Sequence, residues 1–107
     1  MGARALTAAV LGSLALACAG PRAKVTDAGV RPSARAGFYR VEARVANAGG
    51  RGQIELTIRL RNTRDGRIVT QGQSVDLEPR DHTDVAVEIP APPGDYAVDV
   101  RVDYPPR

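Results

Sequence analysis

The stretch that decides the fold reads Gln53-Ile54-Glu55-Leu56-Thr57-Ile58-Arg59-Leu60-Arg61, in which apolar and polar residues alternate without a break. Successive side chains of a β-strand point to opposite faces, so this alternation is typical of a strand with one face toward a core and one toward water. Residues 39–45 and 96–104 repeat the pattern, and Val85, Val87 and Ile89 continue it. No helical period appears beyond residue 20, so the chain is predicted to be all-β.

Turn residues separate the alternating stretches. Residues 47–52 contain three glycines, Asp65-Gly66 is a hairpin signal, and the prolines at 90, 92 and 93 end a strand because they cannot donate to a ladder. Within residues 67–77, Ile68 is in phase with an inward face, whereas Val75 and Leu77 are in the opposite phase. This change of phase predicts a β-bulge, or a change of sheet, at Gly72.

Short strands that each have one apolar face are satisfied by two packed sheets or by a barrel. The change of phase at Gly72 favours an antiparallel β-sandwich of about six to seven strands, with a simple meander as the alternative topology. In the sandwich, residues 53–61 lie between residues 67–70 and 96–104, and residues 39–45 pair with residues 85–89. Leu60 is then expected opposite Ile68, both inward. A ladder that joins Val45 to Ile54 would instead indicate the meander.

Composition limits the functions that the chain can have. Its 107 residues are enough for one modest core, and the aromatic residues are one Phe, three Tyr and no Trp. Aromatic platforms for nucleic acid are therefore not expected. Fifteen basic residues are interleaved with twelve acids along the chain, which is typical of a mixed solvated surface, so we expect no nucleic-acid partner.

The N-terminus has the order of a secretory signal. Arg4 precedes an uncharged apolar stretch at residues 5–17, which is too short for a permanent membrane span of roughly 20 residues. We therefore expect an N-terminal signal helix in a signal peptide at residues 1–17, a flexible tether at 18–37 with room for one edge strand around residues 24–30, and a β-domain at 38–107.

The segment Leu14-Ala15-Leu16-Ala17-Cys18 resembles the lipobox of bacterial lipoprotein precursors. The resemblance implies that Cys18, the only cysteine, carries a lipid that anchors the protein to a membrane. Ala19 and Gly20 follow the cysteine where inner-membrane retention usually shows aspartate, which implies the outer membrane, facing the periplasm. The alternative is a soluble periplasmic or secreted protein, because Ala15-Leu16-Ala17 also satisfies an Ala-x-Ala cleavage site.

The segments Val45-Ala46-Asn47-Ala48-Gly49, Asp65-Gly66 and Gly94-Asp95-Tyr96 resemble those of bacterial immunoglobulin-like modules, in particular the cell-adhesion-related domain found in bacteria. The resemblance spans residues 38–104 and implies an immunoglobulin-like β-sandwich. That family continues into a further strand, whereas here Pro105-Pro106-Arg107 follows. Fold resemblance alone does not carry a function.

Catalytic and metal chemistry is not expected. His82 is the only histidine and lies in a polar turn, and no other histidine or cysteine is placed to complete a zinc site. Four nearby acids lack the spacing of a calcium loop and are interpreted as surface turn residues: Asp76, Glu78, Asp81 and Asp84. We therefore predict no enzyme, no cofactor and no metal.

Two features remain as candidate binding sites. Four arginines crowd one hairpin, as a patch for anionic partners or, as we favour, as charges that solubilise a sheet edge: Arg59, Arg61, Arg64 and Arg67. A proline-rich loop forms the second feature: Pro90, Pro92, Pro93 and Gly94. The sequence thus predicts a non-catalytic binding or structural module of the cell envelope whose partner is an unidentified envelope protein. The alternative is an inhibitor that inserts the proline-rich loop into the cleft of a secreted hydrolase.

Overall fold

The structure, a computed structural model, describes residues 20–105. These residues form six β-strands and no helix: β1 (Ala23–Pro32), β2 (Phe38–Asn47), β3 (Gly52–Asn62), β4 (Ile68–Leu77), β5 (His82–Pro90) and β6 (Tyr96–Asp103). The all-β prediction is confirmed for this part of the chain. The predicted signal peptide at residues 1–17, with its helix, and Cys18 lie outside the described residues.

The strands form two antiparallel three-stranded sheets. The first sheet has the order β1-β2-β5 and the second has the order β4-β3-β6. The connection after β2 crosses from the first sheet to the second, so Val45 pairs with Val25 and Thr83 and not with Ile54. The predicted placement of β3 between β4 and β6, and the pairing of β2 with β5, are confirmed. The meander is excluded.

A single hydrophobic core draws side chains from both sheets. The alternating residues of β3 provide its centre, since Ile54, Leu56, Ile58 and Leu60 are all at most 1% exposed. The remaining buried members of this cluster come from three other strands: Val41 and Val45 of β2, Val75 and Leu77 of β4, and Val87 and Ile89 of β5. Burying each such side chain contributes about 1.5–3 kcal/mol, so this cluster holds the two sheets together.

The predicted inward position of Ile68 is wrong, and so is the predicted bulge or change of sheet at Gly72. Val69, not Ile68, lies opposite Leu60, and Ile68 is 47% exposed beside Arg61. The β3–β4 ladder runs without a register shift from the Gly52–Leu77 pair to the Arg61–Ile68 pair. The apolar pattern is interrupted because two half-buried glutamines, Gln71 and Gln73, occupy inward positions at the edge of the sheet. The phase of the strand never changes.

The segment expected as a flexible tether contains a complete edge strand. β1 pairs with β2 from Ala23 to Pro32, with one bulge between Val25 and Asp27. The edge strand anticipated around residues 24–30 is therefore present and longer than expected. Only residues 19–22 separate Cys18 from the first strand.

Candidate functional site

Three connections meet at one end of the two sheets, which we call the loop end: residues 33–37, 63–67 and 91–95. Backbone hydrogen bonds link these loops to one another. The Ala91 N–H donates to the Gly37 carbonyl at 3.2 Å, and the Thr63 N–H donates to the Asp95 carbonyl at 2.9 Å. The loop end is therefore one connected surface.

Two tyrosines hold the proline-rich loop in place. The Tyr39 hydroxyl of β2 accepts a hydrogen bond from the Gly94 N–H at 2.9 Å and donates to the Gly94 carbonyl at 3.0 Å. The Tyr96 hydroxyl of β6 donates to the Pro92 carbonyl at 2.6 Å. The rings meet edge to face, with centroids 4.8 Å apart. Since each ring also packs against the core, the loop is fixed to both sheets.

Gly94 fits this loop because Asn62 lies directly against it. A Cβ atom at Gly94 would come within 2.6 Å of the Asn62 Nδ2 atom. Asn62 is buried, and its Oδ1 atom accepts hydrogen bonds from the N–H groups of Arg64 and Asp65. The same residue therefore shapes the hairpin turn of residues 63–67 and the proline-rich loop.

The structure separates the four arginines of the predicted patch into two pairs. Arg59 and Arg61 lie on the outer face of β3, which is the central strand of its sheet and not the predicted sheet edge, whereas Arg64 and Arg67 lie in the hairpin turn at the loop end. The Arg67 Nε atom is 3.8 Å from the Asp65 carboxylate. Within residues 20–105, no ion pair involves Arg59, Arg61 or Arg64.

The turn pair adjoins the proline-rich loop. One open depression is lined by Arg64 and Asp65 from the turn and by Pro93, Gly94 and Asp95 from the loop, together with Asn62. Pro92 and Pro93 are exposed, whereas Pro90 belongs to β5 and Ala91 is buried. The tertiary structure thus joins parts of both predicted sites into one surface, whose charged groups are Arg64, Asp65 and Asp95 beside the exposed Pro93.

Sequence reasoning missed three contributors to the loop end. The alternating pattern places Tyr39 and Tyr96 at the starts of two strands and gives no sign that their hydroxyls hold the loop. The Arg35 guanidinium lies 3.8 Å from the centre of the Phe38 ring, where it adds a cation to the first loop. The prolines at 90, 92 and 93 predict the end of a strand, but no local pattern pairs a tyrosine with a loop 55 residues away.

The candidate acids do not converge on a metal site. Glu78 pairs with Arg51 at 2.7 Å, and Asp84 pairs with Arg44 at 2.9 Å. The hydrogen bond and the charge of Arg44 lower the pKa of Asp84, and Asp84 raises the pKa of Arg44. His82 is exposed with its Nδ1 atom 3.8 Å from the Asp81 carboxylate. Across the described residues, His, Cys, Asp and Glu form no cluster that could hold a metal.

The outer face of the first sheet carries an ion-pair network. Glu42 lies 2.7 Å from Arg31 and 3.1 Å from Arg40, and Arg40 reaches Glu88 at 3.7 Å. The Arg31 and Glu42 side chains are exposed, whereas Arg40 and Glu88 are partly buried, with the Glu88 Oε2 atom buried. Exposed ion pairs contribute roughly 0–1 kcal/mol each. The network therefore keeps this face soluble and adds little to stability.

The opposite end of the sheets, which we call the N-terminal end, receives the chain at Gly20. The Gly50 N–H donates to the Gly20 carbonyl at 3.2 Å. The buried Asn47 side chain organises this end: its Oδ1 atom accepts from the N–H groups of Arg22 and Gly49, and its Nδ2 atom donates to the carbonyls of Gly50 and Glu78. The segment before β1 is therefore held against the sheets.

Comparisons with family models, with curated proteins and with solved structures find no match. Residues 20–105 contain no helix that could span a membrane.

Proposed function

We propose that this chain is a non-catalytic lipoprotein of the cell envelope, anchored through Cys18 to the periplasmic face of the outer membrane. In this proposal its β-domain binds another envelope protein through the loop end. The domain is an immunoglobulin-like β-sandwich.

The strand order supports the sandwich. The first sheet, β1-β2-β5, follows the order of strands A, B and E of an immunoglobulin domain, and the second sheet, β4-β3-β6, follows the order of C′, C and F. Tyr96, at the start of β6, donates its hydroxyl to a backbone carbonyl four residues upstream. A tyrosine near the start of strand F makes the same type of bond in the tyrosine corner of such domains.

The position of Gly20 is the observation that supports a partner site at the loop end. Gly20 is held at the N-terminal end, so a lipid on Cys18, two residues earlier, belongs at that end. The ten residues of β1 then run to the loop end, a distance of about 30 Å at the usual rise of a strand. The anchor therefore leaves the loop end free for a partner.

The anchor is tested by fractionation and mass measurement of the wild-type protein and of Cys18→Ala. We expect the wild type to partition with membranes and to carry the mass of a lipid-modified cysteine. We expect Cys18→Ala to be released or to stay uncleaved. Recovery of an unmodified, soluble wild-type protein that begins at Cys18 or later would overturn the lipoprotein proposal in favour of a secreted one.

The binding surface is tested by photocrosslinking in intact cells. A photoreactive residue at Arg64 or Pro92 is expected to capture one and the same envelope protein. The matched control is Ala86, an exposed residue on the outer face of the first sheet. Equal capture from Ala86 and from the loop end would contradict a partner site at the loops.

A second candidate function is inhibition of a secreted hydrolase by the proline-rich loop. The observation that favours it is the double anchoring of the loop by Tyr39 and Tyr96, because a rigid loop loses little conformational entropy on binding. An inhibitor should block one member of a panel of proteases and lysozymes at stoichiometric concentration, and Pro93→Ala should weaken that block. A binding module without inhibitory activity leaves the whole panel active.

A further inference from the structure

One edge of the second sheet is open and uncharged. β4 pairs with β3 along one side, and within residues 20–105 no strand pairs with its other side. From Ile68 to Val75 the strand contains no charged residue and no proline, and its ladder has no bulge. A long regular edge of this kind is a template for another strand.

The other three edges carry features that discourage such pairing. β1 has a bulge between Val25 and Asp27 and ends at Pro32. β5 has charges at Asp84 and Glu88 and ends at Pro90. β6 has three charged residues in its eight: Asp99, Arg101 and Asp103. Charge, proline and bulges are the usual means by which proteins protect sheet edges, and β4 lacks all three over these eight residues.

The open edge is almost a palindrome. The sequence Val69-Thr70-Gln71-Gly72-Gln73-Ser74-Val75 reads nearly the same in both directions about Gly72. In an antiparallel pair of two such strands centred on Gly72, valine lies opposite valine, glutamine opposite glutamine and threonine opposite serine. Cross-strand pairs of threonine and serine can hydrogen-bond to each other and stabilise a sheet.

We propose that β4 binds β4 of a second copy of this chain, antiparallel about a two-fold axis at Gly72. The β4-β3-β6 sheet of one copy and the same sheet of the other then form one six-stranded sheet. A two-fold interface requires a surface that complements itself, and this near-palindrome meets that requirement, whereas a foreign peptide strand would require no such symmetry. Gln71 of one copy then lies opposite Gln73 of the other copy.

The interface is compatible with a lipid anchor but does not depend on it. Antiparallel pairing places the two N-terminal ends at opposite ends of the six-stranded sheet. An axis along the membrane normal keeps both ends at the same height, so both copies can be anchored in one membrane.

Charged substitutions at two exposed positions of β4 test the interface. In the proposed dimer, Thr70 of one copy lies opposite Ser74 of the other. Within one chain, Thr70 pairs with Arg59 and Ser74 pairs with Glu55. Two double variants are used: Thr70→Lys/Ser74→Lys and Thr70→Glu/Ser74→Glu. Within the monomer, each variant gains one oppositely charged and one like-charged neighbour. We therefore expect the two monomers to be about equally stable.

Sedimentation of the full chain in mild detergent gives the readout. We expect a wild-type dimer, and we expect each like-charged variant alone to raise the dimer Kd by at least about tenfold, because like charges then face each other twice. An equimolar mixture of the two variants should restore the dimer, since every cross-copy pair becomes Lys opposite Glu. The variant Thr70→Glu/Ser74→Lys places opposite charges next to each other both within the monomer and across the two-fold axis. It should therefore remain dimeric.

Three outcomes would overturn the interface. One is a wild-type chain that stays monomeric at millimolar concentration. Another is a dimer that both like-charged variants retain. The third is a mixture of folded like-charged variants, with far-UV circular dichroism matching the wild type, that remains monomeric.

Discussion

The Tyr39 hydroxyl on β2 forms two hydrogen bonds with Gly94, which precedes the first strand residue of β6 by two positions. A single side chain of the first sheet thereby fixes a loop that leads into the second sheet. The ring contributes to the core, and the hydroxyl contributes to the loop end, so fold and candidate site share one residue.

Removal of this hydroxyl should loosen the loop without emptying the core. Tyr39→Phe keeps the ring and is expected to reduce the free energy of unfolding by about 1 kcal/mol, the net contribution of a typical hydrogen bond. Amide exchange at Gly94 should accelerate more than exchange in β3. Tyr104→Phe is the control, because its hydroxyl accepts from the Ala23 N–H at the other end. Equal exchange rates at Gly94 in wild type and Tyr39→Phe would contradict this role.

Truncation of Leu56 should remove a central part of the core. Its side chain is 0% exposed, so Leu56→Ala is expected to cost about 2–5 kcal/mol in urea unfolding, a large share of the stability of a small domain. Val100→Ala should cost less because Val100 is only partly buried. Ile68→Ala is the surface control and should change stability by no more than about 0.5 kcal/mol. A larger loss at Ile68 than at Leu56 would place the core elsewhere.

Gly72 lies in a regular strand, so a side chain there should be tolerated. Its backbone φ is not positive, and a Cβ atom would come no closer than 4.0 Å to its neighbours. We expect Gly72→Thr to stabilise the monomer by about 0.5–1 kcal/mol, since glycine weakens a strand by that amount. Gly66→Thr is the contrasting control and should destabilise, because Gly66 has φ 76°. Thermal unfolding at low concentration measures both; destabilisation by Gly72→Thr would indicate strain at that position.

Asp84 should titrate below the ordinary range of an aspartate. The hydrogen bond and the charge of Arg44 lower its folded-state pKa, so its contribution to stability is fully present above the unfolded pKa of about 3.9. That contribution is lost as the pH falls through the lower, folded-state pKa. Carbon-13 NMR titration of the carboxyl group measures this value directly.

Arg44→Gln should return the pKa of Asp84 toward its ordinary value. Arg51→Gln provides the matched control, because Arg51 pairs with Glu78 and should leave Asp84 unchanged. An Asp84 pKa that is the same in the wild type and in Arg44→Gln would show that the ion pair does not form in solution.

Much of the fold could be predicted because its signals are local. The strict alternation in residues 53–61 identified β3 and its buried face, and the turn residues at 65–66 and 90–94 placed the ends of strands correctly. The predicted inward face of β4 was wrong because Gln71 and Gln73 are polar residues at inward positions. A polar residue at an edge can keep its amide solvated, so the apolar pattern there does not report the phase.

The candidate site was predictable only in parts. The hairpin arginines and the proline-rich loop were found separately, since each is a short run of residues. Asn62 brings the hairpin turn and the proline-rich loop together, and this contact depends on which strands pair. The same pairings separate Arg59 and Arg61 from Arg64 and Arg67. Those pairings join residues far apart in the chain and leave no mark on local composition.

The sequence by itself determined the class of fold, the positions of most strands and the residues that fill the core of β3, because side-chain alternation reflects the two faces of a strand directly. The tertiary structure alone decided the phase of β4, the full length and pairing of the edge strand β1 and the assembly of the loop end. These depend on which partner lies across each strand, and that choice is set by the packing of the whole core rather than by any neighbour in sequence.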